Sequence, residues 1–296
     1  MLMTKISVIL PARNEALNLR PLLEKLTAQC PEAELIVVDD GSVDETAEVC
    51  RQYGGRVVAH PYSLGNGAAV KAGARVASGE VLVFMDADGQ HDPADIARLV
   101  AKLEEGYVMA VGARRDHSQA SWGRGVVNRI YNRLASWMTN YRVLDLTSGF
   151  RAVQARPFRE FLYLLPNGFS YPTTITMAFF RSGYPVAYVP ITAGQREGKS
   201  HIQPVQDGVR FLLIIFKIGT LYSPLKLFFP ISVGFFLMGF GYYAYTYWVE
   251  NRFTNMGALL FSVSVLVFLM GLVSEQITSL FYQKPESGPK EKDVLP

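Results

Sequence analysis

Through its first hundred residues the chain alternates short, continuous apolar runs with longer stretches of helical spacing. Ile6 to Leu10 is apolar and β-rich and meets Pro11, which predicts a first strand. Residues 17 to 29 carry an amphipathic helix pattern that stops before Pro31. Leu35 to Asp40 (LIVVDD) predicts a second strand, and Ser42 and Glu45 after it have capping-box spacing at a helix start. RVVAH (56 to 60) and VLVFM (81 to 85) predict two more strands, with a helix opened by GNGAAVKAG between them. Strands that are apolar throughout, separated by amphipathic helices, predict a mainly parallel α/β sheet with helices on both faces. Ligands of such sheets bind beyond the carboxyl ends of the strands. Those ends read PARNE, DDGS and DADGQ, so three polar or acidic loops should converge on one site.

The last third follows a different pattern. Leu227 to Val249 gives 23 consecutive residues without a charge, and Phe253 to Ser274 gives 22. At about 1.5 Å per residue each run reaches the ~30 Å hydrocarbon thickness of a bilayer. Glu250, Asn251 and Arg252 alone separate them, which predicts a tight hairpin of two membrane-spanning helices. Lys217 and Lys226 precede the first run, and Lys284, Lys290 and Lys292 follow the second. The excess of positive charge predicts both ends, and the N-terminal domain, on the cytoplasmic side. Residues 203 to 224 mix Asp207, Arg210 and Lys217 with apolar positions, as a helix lying in the interface would. A core helix of the soluble part is the alternative. The expected division is 1–202 for an α/β domain, 203–224 for the interfacial helix, 225–282 for the hairpin and 283–296 for a polar tail.

Composition changes this picture little. In 296 residues the net charge is +3, which argues against nucleic acid as a partner, as does the absence of aromatics interleaved with the basic residues. Cys30 and Cys50, the two cysteines, form neither a CxxC pair nor a disulfide framework. The apolar stretch before Pro11 is too short for a signal-peptide core.

The acids at the strand ends carry the candidate chemistry. Asp86 and Asp88 are one residue apart, so in extended chain both side chains share a face, and Gln90 continues that register. Hard oxygen ligands at a strand end suit Mg2+ or Mn2+, with the remaining positions filled by water and substrate phosphate. Asp92 precedes Pro93 and is expected to cap the next helix, leaving His91 as a neighbour of the site. Asp39 and Asp40 end the second strand, where one carboxylate can meet a ribose or base and the other cap the turn. Glu15 follows the first strand and enters the same cleft. The glycines of GNGAAVKAG precede a helix, where backbone amides can face phosphate. Neither GxGxxG nor a P-loop occurs, which weakens dinucleotide and P-loop readings.

PARNE, VVDDGS and MDADGQHDP, in this order and followed by DLTSGFR (145 to 151), QREGKSH (195 to 201) and two apolar runs, resemble the inverting family 2 glycosyltransferases of the GT-A fold. Within that family the set is most similar to the polyprenyl-phosphate glycosyltransferases, which include dolichol-phosphate mannose synthases and bacterial undecaprenyl-phosphate glucosyltransferases. The resemblance implies a GT-A nucleotide-diphospho-sugar transferase fold. It implies that Pro11, Arg13, Glu15, Asp39 and Asp40 hold the nucleoside, and that Asp86, Ala87, Asp88 and Gln90 hold a Mg2+ or Mn2+ ion and the diphosphate. Arg196 and Lys199 would close over that diphosphate. Many relatives carry an aromatic residue in place of Arg13 and a lysine near Asn66.

The expected substrates are a nucleotide sugar of the UDP-glucose or GDP-mannose class and a polyprenyl phosphate in the bilayer. Arg114, Arg129, Arg133, Ser148 and His201 are candidates to meet the acceptor phosphate, with Arg129 and Arg133 spaced i, i+4 on one helix face. The acceptor oxygen is already anionic, so alignment and leaving-group stabilisation by Asp88, Arg114 and Arg129 are the main demands. Asp145 resembles a carboxylate proposed as base in some relatives, and an equal alternative is that it positions Arg114 or Arg129. Two other functions stay open: a membrane glycosyltransferase acting on a glycan or another lipid, and a nucleotide-sugar-binding scaffold without catalysis. Assembly into a homo-oligomer is compatible with so small a membrane footprint.

Overall fold

A computed structural model of the chain describes residues 5–114, 122–168, 171–192, 194, 219–252 and 254–282. The chain divides into two units, one up to Arg210 and one from Phe211. The first is built on seven strands: β1 (Ile6–Ala12), β2 (Glu34–Asp39), β3 (Arg56–Ala59), β4 (Val81–Phe84), β5 (Met109–Arg114), β6 (Arg151–Gln154) and β7 (Val186–Ile191). Their order across the sheet is β3-β2-β1-β4-β6-β5-β7. Among the described strands only β6 pairs antiparallel, with β4 on one side and β5 on the other; the remaining ladders are parallel.

Period-two alternation explains how the sheet is covered. Val8 and Leu10 of β1 and Val37 of β2 join one core with Leu19, Leu22, Leu23 and Leu26 of α1 (Ala16–Gln29). Ile96, Leu99 and Leu103 of α4 (Asp95–Glu104) enter the same core. Ile9 and Val38 face the other way, onto α3 (Asn66–Val76), where Gly73 lets the helix approach closely. Both faces of the central strands are therefore buried, which is why they read as unbroken apolar runs. Among the described residues, the remaining helices of this unit are α2 (Thr46–Gln52), α5 (Trp122–Thr139), α6 (Ala155–Glu160) and α7 (Tyr171–Arg181).

β1 runs two residues past its expected end, through Pro11. Pro11 and Ala12 pair with Val38 and Asp39 of β2, while β4 pairs no further than Ile9. The prolyl nitrogen thus sits where β1 has a single paired neighbour, and its missing donor is tolerated.

The second unit is a helical hairpin of α8 (Pro224–Glu250) and α9 (Asn255–Tyr282), both long and apolar enough to cross a membrane. Asn251 adopts a left-handed conformation (φ 53°) and terminates α8. Ser232 and Ser264 donate to each other's backbone carbonyls at 2.9 Å, so two hydroxyls in apolar surroundings satisfy one another. Gly239 and Gly271 let the helices close onto Leu260 and Phe228. Glu275 of α9 accepts the amide of Leu225 at 3.2 Å, placing a carboxylate at the positive end of α8. Phe236, Leu237, Met238, Leu266 and Met270 face outward. Of the expected interfacial helix, residues 203–218 lie outside the described residues, and 219–222 form a helical turn.

Candidate active site

The loops after β1 and β2 are stitched together by short polar side chains. Asn14, left-handed at φ 56°, donates its amide to Ser42 Oγ and accepts the Val43 amide, each at 2.9 Å. The amides of Glu15 and Ala16 donate to Thr46 Oγ1 (3.0 Å) and Asp44 (3.1 Å). Ser42 is thereby spent across the loop pair, so the expected capping box does not form. Instead α2 begins at Thr46, whose amide donates to Asp44. Asp39 Oδ1 accepts the Ser42 amide at 2.8 Å, the turn-capping role open to one of the two aspartates.

Asp40 has the other role, and it is an anchoring one. Its two oxygens accept from Leu64 and Gly65 amides (2.8 and 2.9 Å) and from Ser63 Oγ (2.7 Å), and one lies 2.7 Å from His60 Nδ1. Burial alone would raise this carboxyl, but these partners outweigh it and bring it down to about 2. All four strong acceptor directions are used, which fixes the loop after β3 beside the carboxyl end of β2.

That loop leads into α3 through Gly65, at φ 101°. A side chain on Gly67 would collide with the carbonyl of Pro166, and the Ala68 amide donates to the Asn167 carbonyl at 3.1 Å. Lys71 Nζ ties the same segment down through the Leu165 carbonyl and Asn167 Oδ1. The glycines therefore admit a neighbouring backbone, and one of the helix-start amides, that of Ala68, is occupied by it.

The acid cluster begins one residue beyond Met85, whose amide still donates to the Ile9 carbonyl. Asp86 and Asp88 open into a cavity of roughly 510 Å3 lined also by Pro11, Arg13, Glu15, Asp40, Asn66, Ala87 and Gln90. Gln90 arrives there through a turn and not by strand register: Gly89 is left-handed (φ 74°) and the Gln90 amide donates to Asp88 Oδ1. Asp92 accepts the Ala94 amide at 3.0 Å and starts the turn before α4. His91 is buried against Phe150, 5.0 Å between ring centroids, with Nε2 3.9 Å from Asp86. Burial pushes the Asp86 carboxyl upward, and Asp88 adds to the push against His91, Asn66 and Arg114. A divalent cation would relieve that repulsion. Two carboxylates with open space before them suit a hard ion whose coordination is completed by diphosphate and water. Among the described residues no group of three or more acidic, histidine or cysteine side chains forms a complete protein cage.

A second charged pair stands next to these acids. Arg114, the last residue of β5, donates from Nε to Asp145 Oδ2 (2.8 Å) and from Nη2 to Oδ1 (3.1 Å) and Thr147 Oγ1 (2.6 Å). The Thr147 and Ser148 amides also donate to Asp145, both at 3.1 Å. Burial would raise Asp145, but Arg114 and these amides hold it below the usual carboxylate range. Burial opposes the charge of Arg114 too, and Asp145 again wins, with Asp86 close enough to contribute. Ser148, expected at the acceptor phosphate, is 2% exposed and its hydroxyl has no partner among the described residues. Arg129 and Arg133 lie on α5, both exposed, and do not line the cavity. Arg196, Lys199 and His201 lie outside the described residues.

Three residues escaped the reading of strand ends: His60 and Ser63, which hold Asp40, and Arg151, which is fully buried under the Asp145–Ser148 turn. A charged residue inside an otherwise apolar strand, FRAV, was the available signal for the last.

Residues 7–163 match the model of glycosyl transferase family 2, more than half of the chain. The chain belongs to that family. Residues 223–280 match the GtrB C-terminal hairpin, which spans nearly all of α8 and α9. Among relatives of this family 2 glycosyltransferase, the undecaprenyl-phosphate 4-deoxy-4-formamido-L-arabinose transferase of Proteus mirabilis (strain HI4320) is 33% identical over 185 residues, covering 56% of each chain. The protein of that description from Serratia proteamaculans (strain 568) is 34% identical over 189 residues, 57% of this chain and 58% of that one. The chain thus spans little more than half the length of the curated relatives it matches. Glucosyl-3-phosphoglycerate synthase from Mycobacterium tuberculosis, solved with Mn2+, UDP and glucosyl-3-phosphoglycerate, superposes with a TM-score of 0.58 at 23% identity, covering 73% of this chain and 78% of that one. That likeness bears out the GT-A architecture.

Proposed function

We propose that this glycosyltransferase transfers a sugar from a nucleotide sugar, of the UDP-glucose or GDP-mannose class, to a polyprenyl phosphate, with inversion at the anomeric carbon. One observation carries the reading: an acid pair, Asp86 and Asp88, opens into a cavity at the sheet's carboxyl edge while a guanidinium, Arg114, is fixed beside it. The acids suit a metal–diphosphate group, and the arginine suits a second phosphate. The hairpin and the undecaprenyl-phosphate transferases among the relatives support a lipid as the carrier of that phosphate.

In this reading Pro11, Arg13 and Glu15 border the nucleoside, and Asp40 contributes through the His60–Gly65 loop that it holds. Asp86, Asp88 and Gln90 would hold Mg2+ or Mn2+, which when bound supplies positive charge to the leaving diphosphate. Arg114 orients the acceptor phosphate, whose oxygen attacks without needing a base. Asp145 is accordingly a positioning group: its acceptor directions are filled and it is already ionised. On α5, Ile130 and Trp137 (57% and 47% exposed) share a face with Arg133, which suits a helix resting on the lipid surface with Arg129 and Arg133 at phosphate depth. The positive charge flanking both spans supports a cytoplasmic site.

The test is a donor screen with the purified full chain, Mg2+ or Mn2+, and a short polyprenyl phosphate. Radiolabelled sugar should pass into the organic phase as a lipid phosphate-linked product. Asp88→Asn should lower the rate by at least about 100-fold, typical of lost transition-state electrostatics, with an unchanged melting temperature. Transfer to a soluble glycan with no lipid-linked product from any donor would overturn the reading.

A further inference from the structure

Arg151 opens β6 and is fully buried, yet among the described residues it hydrogen-bonds to no carboxylate. Its Nη1 donates to the Pro172 carbonyl and to Thr176 Oγ1, both at 3.2 Å, and its Nη2 donates to the Ser148 carbonyl. The guanidinium also lies over the Tyr171 ring, 5.8 Å from the centroid. Asp145 and Asp86 act on this charge only through space; burying a cation with no ion pair in contact costs several kcal/mol, and a leucine or methionine would fill this strand position without that cost. What the charge supplies is a rigid fork of donors aimed at one turn.

That turn is held from three sides. The Thr147 and Ser148 amides donate to Asp145, the Ser148 carbonyl accepts from Arg151, and the Gly149 carbonyl accepts from Tyr171 OH at 3.3 Å. Gly149 rests directly on the cavity's acid: a Cβ built there would stand 2.8 Å from Asp86 Oδ2 and 3.1 Å from Oδ1. The strand register explains the meeting, because Arg151 pairs with Phe84, two residues before Asp86. The Ser148–Gly149 peptide is therefore the wall behind the Asp86 carboxylate, and Arg151 and Tyr171 fix where the wall stands.

We propose that Arg151 is a positioning residue that, through the clamped Ser148–Gly149 peptide, sets the orientation of the Asp86 carboxylate toward a divalent cation. The inference rests on the metal–diphosphate reading of Asp86 and Asp88, and it assigns Tyr171 a lesser share of the same task. It needs the arginine's fork and not merely its charge. Supporting groups around metal-binding carboxylates are worth about 10- to 100-fold in metal affinity.

Mn2+ binding to the full-length protein in detergent, read by the EPR signal of the free ion with and without UDP or GDP, separates the possibilities. Arg151→Lys should weaken Mn2+ binding about 10-fold or more, with a melting temperature close to wild type. Tyr171→Phe should weaken it a few-fold, and Gly149→Ala at least as much as Arg151→Lys. Nucleotide binding in EDTA should be unchanged in all three. If Asp88→Asn abolishes Mn2+ binding while Arg151→Lys and Tyr171→Phe bind as wild type, the positioning role is wrong and the metal reading stands. If Asp88→Asn binds Mn2+ as wild type does, or wild type binds none, the metal reading falls and this inference with it. Should Arg151→Lys not fold, Tyr171→Phe, which releases the same peptide from its other side, carries the decision.

Discussion

Asp40 and Asp86 line one cavity, Asp145 is paired with Arg114 next to it, and hydrogen bonding assigns the three different work. Asp40 and Asp145 accept on every side from protein donors, whereas Asp86 meets a like charge and a cavity. For Asp145 this makes a prediction about pH. Its carboxyl is depressed by Arg114, so it is ionised at every pH above the ordinary carboxylate range and takes up no proton between about pH 5.5 and 8. A group already ionised adds no acid limb to the rate profile in that window. Asp145→Asn should therefore lower kcat/KM for the acceptor about 10- to 100-fold, the worth of a charged hydrogen bond or two. The pH–rate profiles of variant and wild type should run parallel across the window. A limb lost with the variant would restore the base role. That acids would gather at these strand ends was legible in the sequence. Which aspartate of Asp39-Asp40 anchors a loop was not, because its partners, His60 to Gly65, come from the next strand's end.

Elements of the sheet were legible because each central strand is buried on both faces and reads as an unbroken apolar run. Helix starts were less so. Ser42 and Glu45 have the right spacing for a capping box, but Asn14, from the preceding strand end, takes the serine. GNGAAVKAG was legible as a helix start, though not as the seat of a second backbone. There the structure predicts an asymmetry between two glycines of the same contact. Gly67→Ala should destabilise the protein by about 1–3 kcal/mol, as overpacking against a carbonyl does. Gly168→Ala meets open space at an ordinary φ and should be neutral. Thermal unfolding of both variants in detergent checks it; equal melting temperatures would mean that residues 166–168 do not pack on α3. β6 is four residues long and antiparallel, and no local pattern announces the direction of so short a strand.

At the scale of the whole molecule, the two charge-free runs were the most legible feature, since length and composition alone define a candidate span. Trp248, Tyr245 and Tyr247 near the end of α8 are exposed, as residues of an interfacial girdle are. The chain should accordingly stay with the membrane pellet through alkaline carbonate washing and leave it only with detergent; release by carbonate would exclude the spans. The α/β unit has its own freedom. β5 runs into the site and β6 runs out of it, so the chain between Arg114 and Arg151 departs and returns at one edge, where Arg114 and Asp145 fasten the two ends. A segment closed at its own base can be lengthened, shortened or exchanged between relatives while the strands and the acid pair keep their places. In the proposed reading, acceptor choice can in this way diverge as a cassette while the residues assigned to the donor keep their places.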